Sequence, residues 1–457
     1  MLFRSAVFPL RRIPRALVPS AALGFLTLLL LTSAIAPSLL PGLIAAALAV
    51  LLLVLAGHYI TVFWAGWLLI TGLSLEMALT DLIGPEAFQT TIAAVKGGEF
   101  VLAALLALRF GISLDLFNPA WAFCMMAMLG AAVGTHPTPS NADLVRSLIG
   151  SITPFLPFFC LKPPDWARII RLTTSLVPLC SAGLGLLLDV AGIRPVIVES
   201  GGMRLAGLGH PAFLAGVTLT AVYAGLISWM RTGARMHGWL LSVNLIILVL
   251  TGARAPIAYA AAVTILCLIF GQSAEVPRRT RICLIAVCLI ALPIVLVLGE
   301  AQGSLRLFTL GAREAAHLSG RDLLWPAFEA AADQAPWFGW GLGSGNIVIP
   351  RGSQIAQMLR TWAAHNEYLR IRVEGGAIGL MMLITCFIVW VMKHSRRLPP
   401  LERLVTRAVF AAFAAHAATD NVLISSPACV FFAFVAAVFA EPRNGPANRL
   451  RTPVNVA

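Results

Sequence analysis

Long apolar runs recur along almost the whole chain, and they constrain the fold more than any other feature of the sequence. Each is about the 17–25 residues that a helix needs to cross roughly 30 Å of hydrocarbon. In lipid only helices and closed barrels satisfy all their backbone groups, and these runs lack the two-residue alternation of barrel strands. The sequence therefore predicts an all-α, polytopic bundle of transmembrane helices.

The composition agrees with this interpretation. Of the 457 residues, 59% are hydrophobic and 12% are charged, whereas a soluble domain carries roughly 25% charged residues. Fourteen runs are candidate spans, but 146–160 is short and 405–419 contains Arg407 and His416. Either of these two could be re-entrant or interfacial, so 12 spans is the alternative. The candidates cover residues 17–35, 42–56, 59–80, 91–110, 119–135, 146–160, 172–191, 209–228, 239–253, 256–272, 282–299, 365–392, 405–419 and 424–440.

The formal charge of +13 comes from 30 arginines and 3 lysines, most of them in short loops between apolar runs. This is the positive-inside pattern with a cytoplasmic N-terminus, and no nucleic-acid module is visible. A retained first helix fits the charges better than a cleaved signal peptide, which is the alternative. The cytoplasmic segments are then 1–16, 161–171, 229–238, 273–281, 393–404 and the tail.

Ten arginines fall on the opposite, outer side, where orientation does not account for them. The same side carries one large hydrophilic segment, residues 300–364, between the N-terminal transmembrane helices (1–299) and the C-terminal helices and tail (365–457). A loop of this length is usually functional or disordered, and residues 322–332 within it predict a short amphipathic helix. The outer arginines are Arg194, Arg204, Arg254, Arg306, Arg313, Arg321, Arg351, Arg360, Arg370 and Arg372.

The segment HNEYLRIRVEGG opens with His365 and leads into the apolar run that follows the loop. On a continuous helix Arg372 lies two turns from His365, and Arg370 lies one turn from both Asn366 and Glu374. Ionisable residues within a span face the bundle interior or a wet cavity. A histidine can take a proton from a hydroxyl near neutral pH. The alternative is an interfacial histidine with a structural Arg–Glu pair.

Two other outer turns carry arginines. Arg254 in TGARAP lies between adjacent apolar runs. Its planar guanidinium group could bind a phosphate there, or its side chain could extend to lipid headgroups. The segment GGMRLAGLGHPAFLA contains Arg204, which has the same two options, and His210. The alternative for His210 is a helix cap next to Pro211.

The hydrophilic segment contains SGRD, which includes Arg321, and a run of alternate glycines from Gly339 to Gly345. No Lys-Ser/Thr pair ends the run and no strand precedes it, so it is not a nucleotide loop, and a flexible lid is predicted. Tryptophans of the segment, such as Trp325, could stack on sugar faces or join an interfacial aromatic belt.

Metal and disulfide chemistry are not predicted. No carboxylate-rich outer cluster and no histidine pair has metal-ligand spacing, and none of the eight cysteines forms a CxxC pair. No cofactor is expected. Several arginines and one histidine suit a metal-independent transfer, in which the arginines stabilise a departing pyrophosphate and the histidine assists an acceptor hydroxyl.

The order of these motifs over residues 200–392 resembles the O-antigen ligase family, which includes O-antigen and exopolysaccharide polymerases. The motifs are TGARAP, SGRDLLW, PWFGWGLGSGN and HNEYLRIRVEGGAIG. The resemblance implies about a dozen helices with a periplasmic loop, and action on glycans carried by undecaprenyl diphosphate. It also implies that His365 and Arg254 are essential and, less directly, Arg204 and Arg321. The GHPAF segment departs from relatives that often carry Asn after the Pro, so His210 has no implied role.

The combined expectation is an inner-membrane glycosyltransferase with a periplasmic active face. Polymerisation of O-antigen or exopolysaccharide is slightly favoured over ligation to lipid A–core, and both need the same site. The alternative of another class is a transporter or flippase of lipid-linked sugars, although inverted repeats are not visible. The expected catalytic residues are His365, Arg254 and Arg321, and the expected substrate-binding residues are Arg204, Arg372, Arg370, Trp325 and Asn366. The expected partners are an undecaprenyl-diphosphate-linked glycan, an acceptor glycan or lipid A–core, membrane lipids and other polysaccharide export proteins, with no nucleic acid.

Overall fold

The structure, a computed structural model, describes residues 40–84, 86–133, 139–199, 202–286, 321–359 and 361–440. Several sequence expectations lie outside these residues: the span 17–35, most of the span 282–299, the loop residues 300–320, Arg306, Arg313, Arg360 and the C-terminal tail.

Most of the described chain is helical and almost none of it is strand, which confirms the predicted all-α bundle. Two short strands, β1 (Ile197–Glu199) and β2 (Met203–Leu205), pair antiparallel and place Val198 opposite Arg204. Short 3₁₀ segments cover Thr153–Phe159 and Ser344–Asn346. The helices are α1 (Leu40–His58), α2 (Ile60–Leu73), α3 (Leu75–Ile83), α4 (Glu86–Phe110), α5 (Ala120–Val133), α6 (Asn141–Ile152), α7 (Trp166–Val190), α8 (Pro211–Thr232), α9 (Arg235–Leu250), α10 (Arg254–Phe270), α11 (Arg321–Gln334), α12 (Gln354–Leu359), α13 (Glu367–Ser395), α14 (Pro400–Ala417) and α15 (Ser426–Phe439).

Among the described residues, four helices are both long and apolar enough to cross a membrane: most of α4, and α7, α8 and α13. A fifth span results if α1 and α2, which meet at 107°, are counted as one. Helices α5, α9, α10 and α15 are apolar but have only 14–17 residues, about 21–26 Å at 1.5 Å per residue. The expectation of 12–14 spans counted such short helices as well, and it stays a prediction.

Helix α8 forms the centre of the bundle. Helices α7, α9, α10, α14 and α15 pack around it. Of its most apolar stretch of 18 residues, 83% is buried inside the bundle. A helix that is hydrophobic on all sides belongs in the interior. The first turn of α8 is therefore held rigidly at one end of the bundle, the end that also carries the start of α13.

A small folded cap, formed by residues 321–359 and 361–364, covers the start of α13. Its core packs Leu324 and Phe328 of α11 and Ile349 of the following loop against Leu369 and Val373 of α13. The predicted helix at 322–332 is confirmed, since α11 spans Arg321–Gln334. The described part of the hydrophilic segment is thus an ordered unit built onto a membrane helix.

The cap also enters the hydrogen-bond ladder of α13. Gly376 interrupts the helix with φ +61° and ψ −164°, and the backbone N–H groups of Ala377 and Ile378 donate to the carbonyls of Pro336 and Trp337 instead. A side chain at Gly376 would lie 2.3 Å from the backbone of Trp337. The cap backbone therefore satisfies groups that the kink leaves free.

The glycine run of the cap packs in the same place. The N–H groups of Trp340 and Gly341 donate to the carbonyls of Val373 and Glu374, and a side chain at Gly339 would lie 2.6 Å from the backbone at Glu374. The residues from Gly341 to Gly345 are all buried. The prediction of a flexible lid is therefore wrong, because the glycines are needed for close backbone approach.

A buried ion cluster joins the first two turns of α13 to a distant loop. Arg370 donates to Glu367 through Nε at 2.6 Å and to Glu374 through Nη1 at 2.8 Å. Glu367 also accepts the backbone N–H of Leu423 at 2.9 Å. All three charged side chains are at most 8% exposed. The cluster holds the loop between α14 and α15 against the start of α13.

Replacing Arg370 with methionine is expected to destabilise the protein strongly. The substitution leaves two buried carboxylates without their counter-ion, which costs about 3–5 kcal/mol. The measurement is unfolding of the purified protein in mixed micelles, followed by tryptophan fluorescence. The matched control is Arg372→Met, because Arg372 pairs with Asp333 at 2.8 Å on the surface, with the two side chains 43% and 69% exposed. Its effect should stay within about 1 kcal/mol, and equal losses in both variants would contradict the structural role of Arg370.

Candidate active site

His365 lies between the cap and α13 in a backbone conformation that residues other than glycine rarely adopt. Its φ is +47°, in the left-handed region. On one side the Trp325 indole N–H donates to the carbonyl of Ala364 at 2.9 Å. On the other, the Asn366 side chain caps α13 by accepting the N–H of Leu369 at 3.2 Å. The direction of the imidazole is therefore fixed by its neighbours, and strain of this kind clusters at functional sites.

The two ring nitrogens of His365 have different partners. Nδ1 lies 3.1 Å from Oδ1 of Asp420, and Nε2 lies 3.1 Å from the hydroxyl oxygen of Thr361. A carboxylate only accepts, which assigns the proton to Nδ1. In the neutral ring Nε2 is then an unprotonated base that accepts a hydrogen bond from a hydroxyl group.

The Asp420 carboxylate is held in its ionised form. Burial alone raises its pKa, but the hydrogen bond from His365 and the nearby rings of His365 and His416 bring the pKa below its usual value. His416 Nε2 lies 3.8 Å from the other carboxylate oxygen. An ionised Asp420 orients the imidazole and stabilises the imidazolium that forms when Nε2 takes a proton.

Asp420 was missed in the sequence. It lies 55 residues after His365, beyond a complete membrane helix, and no spacing rule connects the two positions. The available signal was weak: a lone carboxylate in the short turn between two apolar runs, four residues after His416.

Two of the predicted arginines meet at one turn. Arg204 of β2 is buried, and its Nε donates to the carbonyl of Thr251 at 2.8 Å. Thr251 directly follows α9, and the turn that it begins leads into Arg254, the first residue of α10. The Nε of Arg254 is buried and has no hydrogen-bond partner among the described residues. The sequence prediction that both arginines belong to the same outer end of the bundle is consistent with this contact.

His210 lies close to these arginines at the start of α8. Its Nδ1 accepts the N–H of Ala212 at 3.2 Å, so the cap interpretation is confirmed and the ring proton of the neutral form is on Nε2. Burial lowers the pKa of His210, and the charges of Arg204 and Arg194 lower it further. Arg194 also donates to the carbonyls of Leu208 and Gly209, at 2.5 and 2.6 Å, and so fixes the chain before His210.

A cavity of about 390 Å³ opens among these groups. His210, His365, His416 and Asp420 line one part of it, and Glu76 and Lys96 line another. Arg321 lies near enough to act electrostatically on His416. No arginine is among the described residues that line the cavity. Arg194 and Arg204 therefore lie near His210, and Arg321 lies near His416, while the cavity wall itself contains one lysine and two carboxyl groups besides the histidines.

The other predicted binding residues have structural contacts. Arg370 is enclosed by its two glutamates, Asn366 caps α13, and Trp325 holds the backbone of Ala364. Arg372 pairs with Asp333 on the surface. The two-turn relation between His365 and Arg372 does not hold, because α13 begins only at Glu367 and His365 is not helical.

The arrangement suits acid–base chemistry beside an anion. A base with its carboxylate partner faces a cavity, and fixed cations lie around it, ready to stabilise negative charge as it develops. Within the part of the chain that the structure describes, no group of three or more His, Cys, Asp or Glu residues could hold a metal ion.

Comparison with known proteins agrees with the motifs in the sequence. Residues 239–384 match the sequence model of a family described as O-antigen ligase. The matched segment contains Arg254, Arg321 and His365, whereas Arg204 and Asp420 lie outside it. No curated protein matches the chain. The chain is therefore a helical membrane protein in which residues 239–384 are similar to the O-antigen ligase family.

Proposed function

We propose that the protein is an inner-membrane glycosyltransferase that moves a glycan from undecaprenyl diphosphate to the hydroxyl of an acceptor sugar. The observation that carries the proposal is the contact of His365 with Asp420 at the cavity. It leaves Nε2 as a base, and the Thr361 hydroxyl at 3.1 Å occupies a position suited to an acceptor hydroxyl. The match to the O-antigen ligase family supports glycan transfer as the reaction class.

In the proposed reaction, Nε2 of His365 takes the proton of the acceptor hydroxyl. The acceptor oxygen forms a bond to the anomeric carbon while the bond from that carbon to the diphosphate oxygen breaks. The products are a new glycosidic bond and undecaprenyl diphosphate, and the imidazolium later releases its proton to water. Asp420 stabilises the imidazolium between these steps.

Arginines stabilise the leaving group in this proposal. Negative charge grows on the diphosphate as its bond to the sugar breaks, and fixed guanidinium groups lower the energy of that state. Arg254 is the best candidate, because it begins α10, where the helix dipole adds to its charge. Arg204 and Arg321 assist from either side. The active face is periplasmic, in keeping with the arginine-rich short loops at the other end of the bundle.

We favour polymerisation of O-antigen or exopolysaccharide over ligation to lipid A–core, although the chemistry at His365 is the same. The glycan pattern of a deletion strain of the producing bacterium, read on a gel, distinguishes the polymerase reaction from the ligase reaction. Loss of a polymerase leaves single repeat units on the lipid core, whereas loss of a ligase leaves lipid-linked polymer with none attached. The second pattern would reassign the protein to the ligase reaction.

Complementation of that strain tests the assigned residues. His365→Ala and Arg254→Ala are expected to restore none of the glycan pattern, because the first removes the base and the second a charge on the leaving group. The control is Arg397→Ala, an exposed arginine just past the far end of α13 that does not line the cavity, which should restore the full pattern. Normal glycan from both site variants, at normal protein levels, would rule the assignment out.

Asp420→Asn tests the positioning of His365. The amide can donate to Nδ1 and so stabilise the tautomer whose Nε2 carries the proton. We expect turnover to fall by about 10²–10⁴, with an altered dependence on pH and partial recovery in Asp420→Glu. The control is Asp333→Asn, whose carboxylate pairs with surface Arg372. Comparable turnover in the Asp420 and Asp333 variants would show that the carboxylate does not act through His365.

The proposed transfer needs no metal ion, because guanidinium groups neutralise the leaving group. Glycan transfer by the purified protein with a membrane lipid extract should continue in EDTA at an unchanged rate. A loss of activity that Mg²⁺ or Mn²⁺ restores would contradict this part of the mechanism.

A further inference from the structure

The cavity beside His365 contains polar groups that the proposed reaction does not use. They come from four separate parts of the bundle: Glu76 from α3, Lys96 from α4, Tyr223 from α8, and Asn421 from the loop before α15. Ionisable groups this close to a membrane span are costly and usually have a function.

Two residues that line the cavity, Tyr223 and Asn421, each have a polar atom without a partner among the described residues. The hydroxyl of Tyr223 and Oδ1 of Asn421 are both buried without a hydrogen bond among the described residues. Tyr223 is only 2% exposed. Such atoms are rare in native structures, because water or a partner normally satisfies them. A ligand that supplies hydrogen-bonding groups explains why they are kept.

Glu76 and Lys96 in the cavity wall can form further hydrogen bonds as well. Glu76 is buried and accepts a hydrogen bond from Ser426 at 2.8 Å, which uses only part of the acceptor capacity of a carboxylate. Lys96 interacts electrostatically with Glu76, and the described contacts give its ammonium group neither a hydrogen bond nor a close ion pair. The wall thus offers donors and acceptors together.

The shape and charge of the cavity restrict the ligand. Along α8 it runs from Ala212 to Tyr223, about 16 Å at the rise of a helix. Its described wall has one lysine and no arginine, so it offers a diphosphate little positive charge. An apolar polyprenyl chain would leave the polar atoms of Tyr223 and Asn421 unpaired. Rings of Phe88, Phe213, Phe413 and Phe431 supply flat apolar walls between the polar groups, a combination typical of small-molecule pockets.

We propose that this cavity binds the acceptor as a neutral, hydroxyl-rich saccharide, with Asn421, Tyr223, Glu76 and Lys96 as its hydrogen-bonding groups. The proposal rests on the proposed function, since it assigns the acceptor to the cavity and the donor diphosphate to the arginines outside it. A sugar held there presents a hydroxyl to Nε2 of His365 in place of Thr361.

Binding to the full-length protein in nanodiscs tests the proposal without turnover. The probes are a panel of methyl glycosides, followed by saturation-transfer NMR, and inorganic pyrophosphate, followed by calorimetry. Tyr223→Phe should weaken glycoside binding about twofold to tenfold, and Lys96→Met about tenfold to a hundredfold. Pyrophosphate binding should be unchanged in both variants.

Two control variants make similar changes outside the cavity, one at a tyrosine and one in the buried cluster beside Lys96. Tyr59→Phe removes the hydroxyl of an exposed tyrosine. Thr71→Val removes a buried hydroxyl that donates to Glu99 beside Lys96 and does not line the cavity. Both should bind the glycosides like the unaltered protein. Should Thr71→Val weaken binding as much as Lys96→Met, the cluster acts only on the fold and the proposal is overturned.

The remaining outcomes separate this proposal from the proposed function. The acceptor site alone is overturned if no glycoside binds, or if Tyr223→Phe and Lys96→Met leave glycoside binding intact. It is also overturned if Tyr223→Phe tightens the binding of geranylgeraniol, because that result would indicate a site for a lipid chain. If Arg254→Ala leaves pyrophosphate binding intact and His365→Ala still transfers glycan, the proposed function fails, and the assignment of the cavity to an acceptor fails with it.

Discussion

Glu367 makes the contact on which the geometry of the site depends. One carboxylate oxygen binds Arg370 and the other accepts the backbone N–H of Leu423. The first contact fixes the start of α13, and the second fixes the loop that carries Asp420. Because the ion pair is buried, neither carboxylate nor guanidinium can exchange its partner for water without a large loss of stability. The distance between His365 and Asp420 is thus set by a neighbouring pair that takes no part in the chemistry.

Parts of this arrangement follow directly from the sequence. The apolar runs predict a membrane bundle, the pattern at 322–332 predicts a helix, and the ordered motifs from TGARAP to HNEYLRIRVEGG resemble the family whose model matches residues 239–384. These features are local, or they depend on the order of residues along the chain. Periodicity and motif order are sufficient to recognise them.

Other parts depend on contacts between distant segments. Asp420 reaches His365 only because α13 and α14 return the chain to the same end of the bundle. Helical spacing suggested that Arg372 faces the site, but His365 precedes the helix in a left-handed conformation. The glycine run suggested mobility, whereas its residues lie against the backbone of α13. In each case tertiary packing determined the outcome, and the local sequence pattern did not predict it.

The break at Gly376 has a consequence for how the cap and the membrane domain can evolve. The cap completes the hydrogen bonding of a helix that is long and apolar enough to cross a membrane, because the carbonyls of Pro336 and Trp337 accept the amides that the break leaves open. The two parts therefore form one folding unit. Exchanging caps between relatives would require the donor's break at the position of Gly376 to be transferred too, so changes in the cap are constrained by a position within α13.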